Sequence, residues 1–161
     1  MLTLSFDGSD VAVLQAIEGK REALNAELIN TLNEQDLELV AFIVGSELHG
    51  QILHQVTGKL AGSIRMIPAE QEGEVITGRV EGGGGPAWYG KIWEETGHKA
   101  FDVYPVNAKA LRFIVGGSPV FAMHAHIPAV GPKPFMKPAQ DSHTEQIVAA
   151  LQGTVDEVLA G

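Results

Sequence analysis

Cysteine is absent from this 161-residue chain, and aromatic residues make up only 6% of it. Without cysteine the chain can have no disulfides, thiol chemistry or thiolate metal ligands, which fits a reducing compartment. No apolar run approaches the roughly 18–20 residues that a membrane helix needs. The segment Met1–Phe6 also lacks the basic residues and cleavage site of a signal peptide. These absences favour one globular domain over residues 1–161.

Positive charge is also scarce, because 11 basic residues face 20 acidic ones and give a formal net charge of −9. Only Lys20 and Arg21 are adjacent, whereas a nucleic-acid-binding surface needs clustered Lys and Arg to replace counterions along the phosphates. The composition therefore argues against nucleic-acid binding.

Apolar periodicity predicts helices towards both ends of the chain. A first helix is predicted over 11–32, with Gly19 as a weak point. A second is predicted from about Asp36 to Val56, and a last one from about Ser142 to Leu159. The apolar stripe of the first helix consists of Val13, Ile17, Leu24, Leu28 and Leu32.

Alternating apolar patterns predict short strands, most of them in the middle of the chain. The predicted strands are 2–6, 63–69, 74–81, 100–106, 109–115 and 120–127. A hairpin loop is expected at Glu70–Gly73, and a tight turn at Gly116–Gly117. The pattern predicts an α+β fold, in which a central, mostly antiparallel sheet carries a short aromatic helix.

A proline-rich segment over about 128–138 contains four of the eight prolines and is predicted to be an extended arm. Phe135 and Met136 are apolar residues within this turn-like stretch. They are therefore predicted to dock onto the core or onto an adjacent subunit.

His124 and His126 are two apart in a predicted strand, so both imidazoles point to one face and could share a metal ion. A third ligand would be His98, Glu94 or Glu95, but nothing in the spacing requires it. A small metal-dependent hydrolase is thus one interpretation, and two histidines on a solvent-facing strand is the simpler one. Phosphate-loop, metalloprotease and nucleophile-elbow motifs are absent. The prediction is no enzyme, no metal and no cofactor.

Both tryptophans and one of the two tyrosines lie within six residues, directly after Gly82–Gly85. At helical spacing Tyr89 and Trp93 share one face, and Trp88 lies to its side. This pattern is typical of a helix packed on a sheet. A ligand-binding module with stacking aromatics is the alternative, although such surfaces usually also carry basic residues. Trp88 is a candidate for a subunit interface.

Several short segments carry motifs that occur together in one protein family. TGKLAGSI at 57–64 is similar to a TG-x-L-x-x-SI step from helix to strand, and YGKIWE at 89–94 to a YA-x-x-x-E helix. The segments 109–113 and 120–122 resemble its paired strands, and 127–139 resembles its IPA…PF-x-x-PA segment. The family comprises tail-component proteins of tailed bacteriophages, called tail-completion, neck or head–tail joining proteins.

This resemblance covers about residues 11–159, although Glu95, Thr96 and Gly97 stand where the family usually has an aromatic residue and a glycine. It implies a virion structural protein without catalytic activity or cofactor, which forms a ring, commonly hexameric, at the head-proximal end of the tail. A minor tail protein or tail terminator of a prophage-derived particle is the near alternative.

The resemblance also implies partners and a location for the protein. The expected partners are further copies of the chain, the head connector or adaptor, and the tail tube or tail terminator. Assembly would take place in the host cytoplasm. DNA would pass through the ring without sequence-specific binding, and acidic residues facing the lumen would repel its phosphates. The candidate interface residues are Trp88, Tyr89, Trp93, Phe135 and Met136.

Overall fold

Two long helices flank a middle of short strands in the computed structural model, which describes residues 8–48 and 58–160, with side chains from Val11 onward. The predicted α+β class is confirmed. The predicted strand at 2–6 and the part of the predicted second helix beyond Leu48 lie outside the described residues. Within the described ranges, no helix is long and apolar enough to cross a membrane.

One continuous helix, α1, spans Gly8–Phe42 and continues into a π-helical segment at Ile43–Glu47. The predicted division into two helices is wrong, because the three residues between Leu32 and Asp36 include no glycine or proline to end the helix. Gly19 does not interrupt α1 either. The cost of one interior glycine is about 1 kcal/mol, which a long helix with good helix formers around it can absorb.

The predicted hairpin forms as β1 (Arg65–Glu72) and β2 (Val75–Glu81). A 3₁₀ turn at Ala61–Ser63 delays the start of β1, which then runs further than predicted. The loop between β1 and β2 is correspondingly shorter than the predicted one at Glu70–Gly73. Gly73 supplies the positive φ that the turn requires.

A proline shapes this hairpin. Pro68 lies inside β1 but has no N–H for the ladder, and the register shifts between Ile67 and Glu70. The next residue, Ala69, donates its N–H to the Asn33 Oδ1 at 2.7 Å. The irregularity therefore directs a backbone donor at α1 and attaches the hairpin to that helix.

The other four strands form two separate antiparallel pairs. β3 (Phe101–Val103) pairs with β6 (Ala125–Ile127), and β4 (Leu111–Val115) pairs with β5 (Ser118–Ala122). The turn between β4 and β5 is the predicted Gly116–Gly117, and both glycines have positive φ.

The strand predicted over 120–127 is divided between β5 and β6, because the chain bends at Met123 and leaves one pair for the other. The strand predicted over 100–106 is reduced to three residues. In the described part of the chain the strands make three two-stranded antiparallel sheets rather than one central sheet.

The C-terminal helix, α3, spans Met136–Ala160 and therefore begins before the predicted start at Ser142. The extended arm predicted over 128–138 is correspondingly shorter. Pro138 does not prevent this early start, because N–H groups in the first turn of a helix have no acceptor within the helix.

α1 and α3 run antiparallel. Near the middle of α1 the Thr31 and Thr154 hydroxyls are 2.7 Å apart, and Gln146 donates its side-chain amide to Glu38 at 2.6 Å. Beyond these contacts lies the core, formed by the C-terminal part of α1, the segments before and after the hairpin, and the start of α3. Its buried members are Leu39, Ile43, Leu48, Leu60, Ile64, Ala87, Phe135 and Ala139.

Candidate functional site

The predicted aromatic helix forms as α2 (Tyr89–Glu95), directly after a 3₁₀ turn at Gly85–Ala87. Tyr89 and Trp93 pack against the core, as their shared helical face predicts, whereas Trp88 is 65% exposed. The buried residues of the cluster on which they pack lie outside the strands. The aromatic helix is thus fixed against the ends of the two long helices.

Glycine permits close packing between α2 and the segment before β1. A Cβ on Gly90 would lie 2.5 Å from the Leu60 Cδ1 and 3.3 Å from the Gly83 Cα. Ser63 completes this contact, since its Oγ accepts the Gly83 N–H at 3.0 Å and donates to the Leu60 carbonyl at 2.6 Å. Leu60 and Ser63 therefore hold both α2 and the glycine run at Gly82–Gly85 in place.

Glu94 connects α2 to the start of α3. One carboxylate oxygen, Oε2, accepts the N–H groups of Phe135 at 2.7 Å and Met136 at 3.0 Å, and Oε1 accepts that of Lys137 at 2.9 Å. The first N–H groups of a helix lack acceptors within the helix and carry partial positive charge. The Glu94 carboxylate therefore caps α3 from a distant part of the chain.

This role of Glu94 could not be predicted from the sequence, which offers it as a possible metal ligand and as the last residue of the motif at 89–94. It lies 41 residues before Phe135, so no capping motif of neighbouring residues is present. A second bond supports the same junction, because the Lys133 N–H donates to the Trp93 carbonyl at 2.7 Å.

Phe135 and Met136 both contact the core of their own chain. Phe135 is 1% exposed, and Met136 packs partly buried against the same cluster. Phe135 thus docks onto the core, and the Phe135 side chain is not available to a neighbouring subunit. An interface role for the exposed Trp88 stays a prediction.

An open cleft of about 660 Å³ lies between the hairpin, the glycine run and Met136. Lys59 and Arg65 are among its lining residues, and Arg65 makes a weak, exposed ion pair with Glu81 at 3.4 Å. Ion pairs of this kind contribute little to stability.

The histidine pair converges on a carboxylate. His124 Nε2 and His126 Nδ1 each lie 2.9 Å from the same oxygen, Oδ1 of Asp102, and the Tyr104 ring lies 5.0 Å from the His124 ring. Asp102 on β3 is the register partner of His126 on β6. Hydrogen bonds from His126 and then His124 lower the pKa of the Asp102 carboxyl.

The three residues predicted as further metal ligands lie elsewhere. Glu94 caps α3, Glu95 pairs with Lys91, and the His98 ring contacts the Trp93 and Phe101 rings. Within the described ranges no group of three or more His, Asp and Glu is arranged to hold a metal ion. Asp102 was not predicted from the sequence, because it comes near the histidines only through the pairing of β3 with β6.

Asp36 is a buried carboxylate beneath the hairpin. It is 6% exposed, and its Oδ2 has no hydrogen-bond partner among the described residues. A Cβ on Gly78 would lie 2.4 Å from this oxygen, so only glycine lets β2 approach α1 here. Burial raises the pKa of the Asp36 carboxyl, and a hydrogen bond from the Arg79 backbone acts in the opposite direction.

Comparison with known proteins gives no relative, since no protein-family model, no curated protein and no solved structure matches this chain.

Proposed function

We propose that this chain is a non-enzymatic structural protein of a tailed-bacteriophage virion, which forms a ring at the head-proximal end of the tail. There it would complete the tail or join it to the head. Its partners would be further copies of itself, commonly six to a ring, the head connector or adaptor, and the tail tube or terminator. DNA would pass through the ring without sequence-specific contacts.

The observation that carries the proposal is the meeting in space of three segments that resemble the tail-component family. Leu60 of the first lies against Gly90 of the second, and Glu94 of the second caps α3 at Phe135 in the third. Residues that define separate motifs thus hold one another in place. This is expected if the motifs belong to one folded unit rather than matching by chance.

Exposed apolar side chains support a function based on protein contacts. On the β4–β5 hairpin Ile114 and Phe121 lie on one face and are each more than 60% exposed. Clustered exposure of large apolar residues marks surfaces that a partner covers. A hairpin of this kind is suited to packing on another subunit or a neighbouring virion protein.

Electron microscopy of particles from a phage whose copy of this gene is deleted tests the proposal. Filled heads and finished tails lying separate are the expected result. Restoring the gene on a plasmid should restore joined particles, which controls for damage to neighbouring genes. Intact, infectious particles without the gene would overturn the proposal, and metal content of the purified protein would then test the hydrolase interpretation at His124 and His126.

A further inference from the structure

The N-terminal part of α1 extends beyond the helix that packs on it. The contacts of Thr31 with Thr154 and of Glu38 with Gln146 set the antiparallel register. Extending that register places Ala160, the last described residue of α3, beside Leu24. Residues 11–23, here called the α1 extension, are all exposed.

The α1 extension presents an apolar stripe. Val13, Leu14 and Ile17 are 56–60% exposed. Since each residue turns a helix by about 100°, Val13 and Ile17 continue the face that carries the half-buried Leu24 and Leu28 and Thr31, which contacts α3. The stripe thus continues a helix-packing face beyond the last described residue of α3.

The charges of the α1 extension are also divided between two faces. At about 100° per residue, Lys20 and Arg21 flank Val13 and Ile17 on two sides of the stripe, whereas Glu22 falls on the far side of the helix. Lys20 and Arg21 are the only adjacent basic residues in the chain. The extension therefore combines an apolar stripe with two flanking basic residues.

A complementary surface lies on α3. A shallow groove of about 460 Å³ is lined by Val148, Leu151, Gln152, Val155 and Asp156. Val148 is 46% exposed.

The edges of this groove are acidic. Asp156 lines it, and Glu145 is placed near its other end by the same helical spacing. From Pro138 to Gly161 the chain contains no Lys or Arg. The α3 groove is therefore apolar with an acidic border, which matches the apolar stripe and the flanking basic residues of the α1 extension.

We propose that the α1 extension of one copy packs into the α3 groove of a second copy, with Lys20 and Arg21 facing the acidic border. The two surfaces are different parts of the chain, so each copy can donate one and accept the other. Such head-to-tail contacts propagate and close into a ring when the rotation between copies permits. This inference rests on the proposed function for the role of the ring in the virion, whereas the contact between copies can be tested in the purified protein.

Disulfide cross-linking of mixed variants tests the contact, because the chain has no cysteine of its own. Ile17→Cys protein is mixed with Gln152→Cys protein, oxidised, and analysed on a non-reducing gel. Within one chain Gln152 lies near Thr31, about 20 Å along α1 from Ile17. A disulfide needs Cα atoms within about 7 Å, so any Ile17–Gln152 bond joins two copies.

The expected result is a linked pair in the mixture and little product from either variant alone. Self-linking of Ile17→Cys as the main product would overturn the inference in favour of paired α1 extensions. A monomer by light scattering, or an oligomer without the mixed bond, would also overturn it. An oligomer without the mixed bond would mean that the ring forms through another contact. The gene-deletion phenotype tests the proposed function separately.

A charge reversal provides the second measurement. Lys20→Glu with Arg21→Glu should weaken self-association at least tenfold, and adding Glu145→Lys with Asp156→Lys should restore it. Gln15→Lys with Glu22→Lys, on the far face of the same helix, is the matched control and should leave association unchanged. Equal loss in both α1 variants, or no rescue, would contradict the assigned contact.

Discussion

Glu94 accepts the backbone N–H of Phe135 at 2.7 Å, and through this bond the aromatic helix caps the C-terminal helix. The same carboxylate accepts the next two N–H groups of the chain. Two elements far apart in the sequence thus meet at a charged helix terminus, directly beside the core.

Glu94→Gln should lower the free energy of unfolding by about 1–2 kcal/mol. The variant keeps one oxygen acceptor but replaces the other with an NH₂ donor that faces N–H groups. Urea unfolding measures the change. Glu95→Gln is the matched control and should change stability little, since the Glu95 side chain makes an exposed ion pair with Lys91 at 3.9 Å. Equal effects from both variants would refute the capping role.

Substitutions at Phe135 and Trp88 should separate effects on folding from effects on assembly. Phe135→Ala empties a fully buried position and should destabilise the fold by about 3–5 kcal/mol. Trp88→Ala removes a side chain that is 65% exposed and should shift stability by less than about 0.5 kcal/mol. Thermal unfolding measures both effects, and light scattering reports assembly. Loss of assembly in Trp88→Ala with an unchanged Tm is expected if Trp88 lies in an interface, and unchanged assembly would remove it from the candidates.

Asp36→Asn should stabilise the protein at pH 7 by about 1 kcal/mol, because it removes a buried charge whose Oδ2 has no hydrogen-bond partner among the described residues. The exposed Glu34→Gln on the same helix serves as control and should have little effect.

The raised pKa of Asp36 also sets a pH dependence. In the folded protein this carboxyl takes up its proton at a higher pH than in the unfolded chain. The stability from this group is therefore full below the unfolded pKa and is lost as pH rises through the folded pKa. The advantage of Asp36→Asn over the unmodified protein should shrink as pH falls through that window. A stability difference that stays constant from pH 7 to pH 4 would contradict the assignment.

Gly97→Ala should be among the most destabilising single changes, at about 3 kcal/mol or more. Gly97 has a φ of 65°, and a Cβ there would lie 2.1 Å from the Val130 carbonyl oxygen. Gly116→Ala is the matched control, since its φ is 57° and the space around it is open. It should therefore show only the left-handed backbone cost of about 1–2 kcal/mol. Thermal unfolding of the two variants separates the steric effect from the backbone effect.

Local patterns in the sequence were sufficient for most elements of this fold. The hairpin, the Gly116–Gly117 turn, the aromatic helix and the two terminal helical regions were all predicted, because periodicity and turn residues act over a few positions. The α+β class follows from their order along the chain. The inward side of α2 was predictable for the same reason, since Tyr89 and Trp93 share one helical face wherever the helix is placed.

Long-range contacts determined the remaining features. The start of α3 depends on the Glu94 carboxylate. The predicted strand 120–127 is split because β5 pairs with β4 and β6 pairs with β3. The histidine pair contacts Asp102 because β3 and β6 are paired. Each of these contacts joins residues more than twenty positions apart or chooses among competing partners. No pattern within a short stretch encodes that choice, because it is made by the free energy of packing the whole chain.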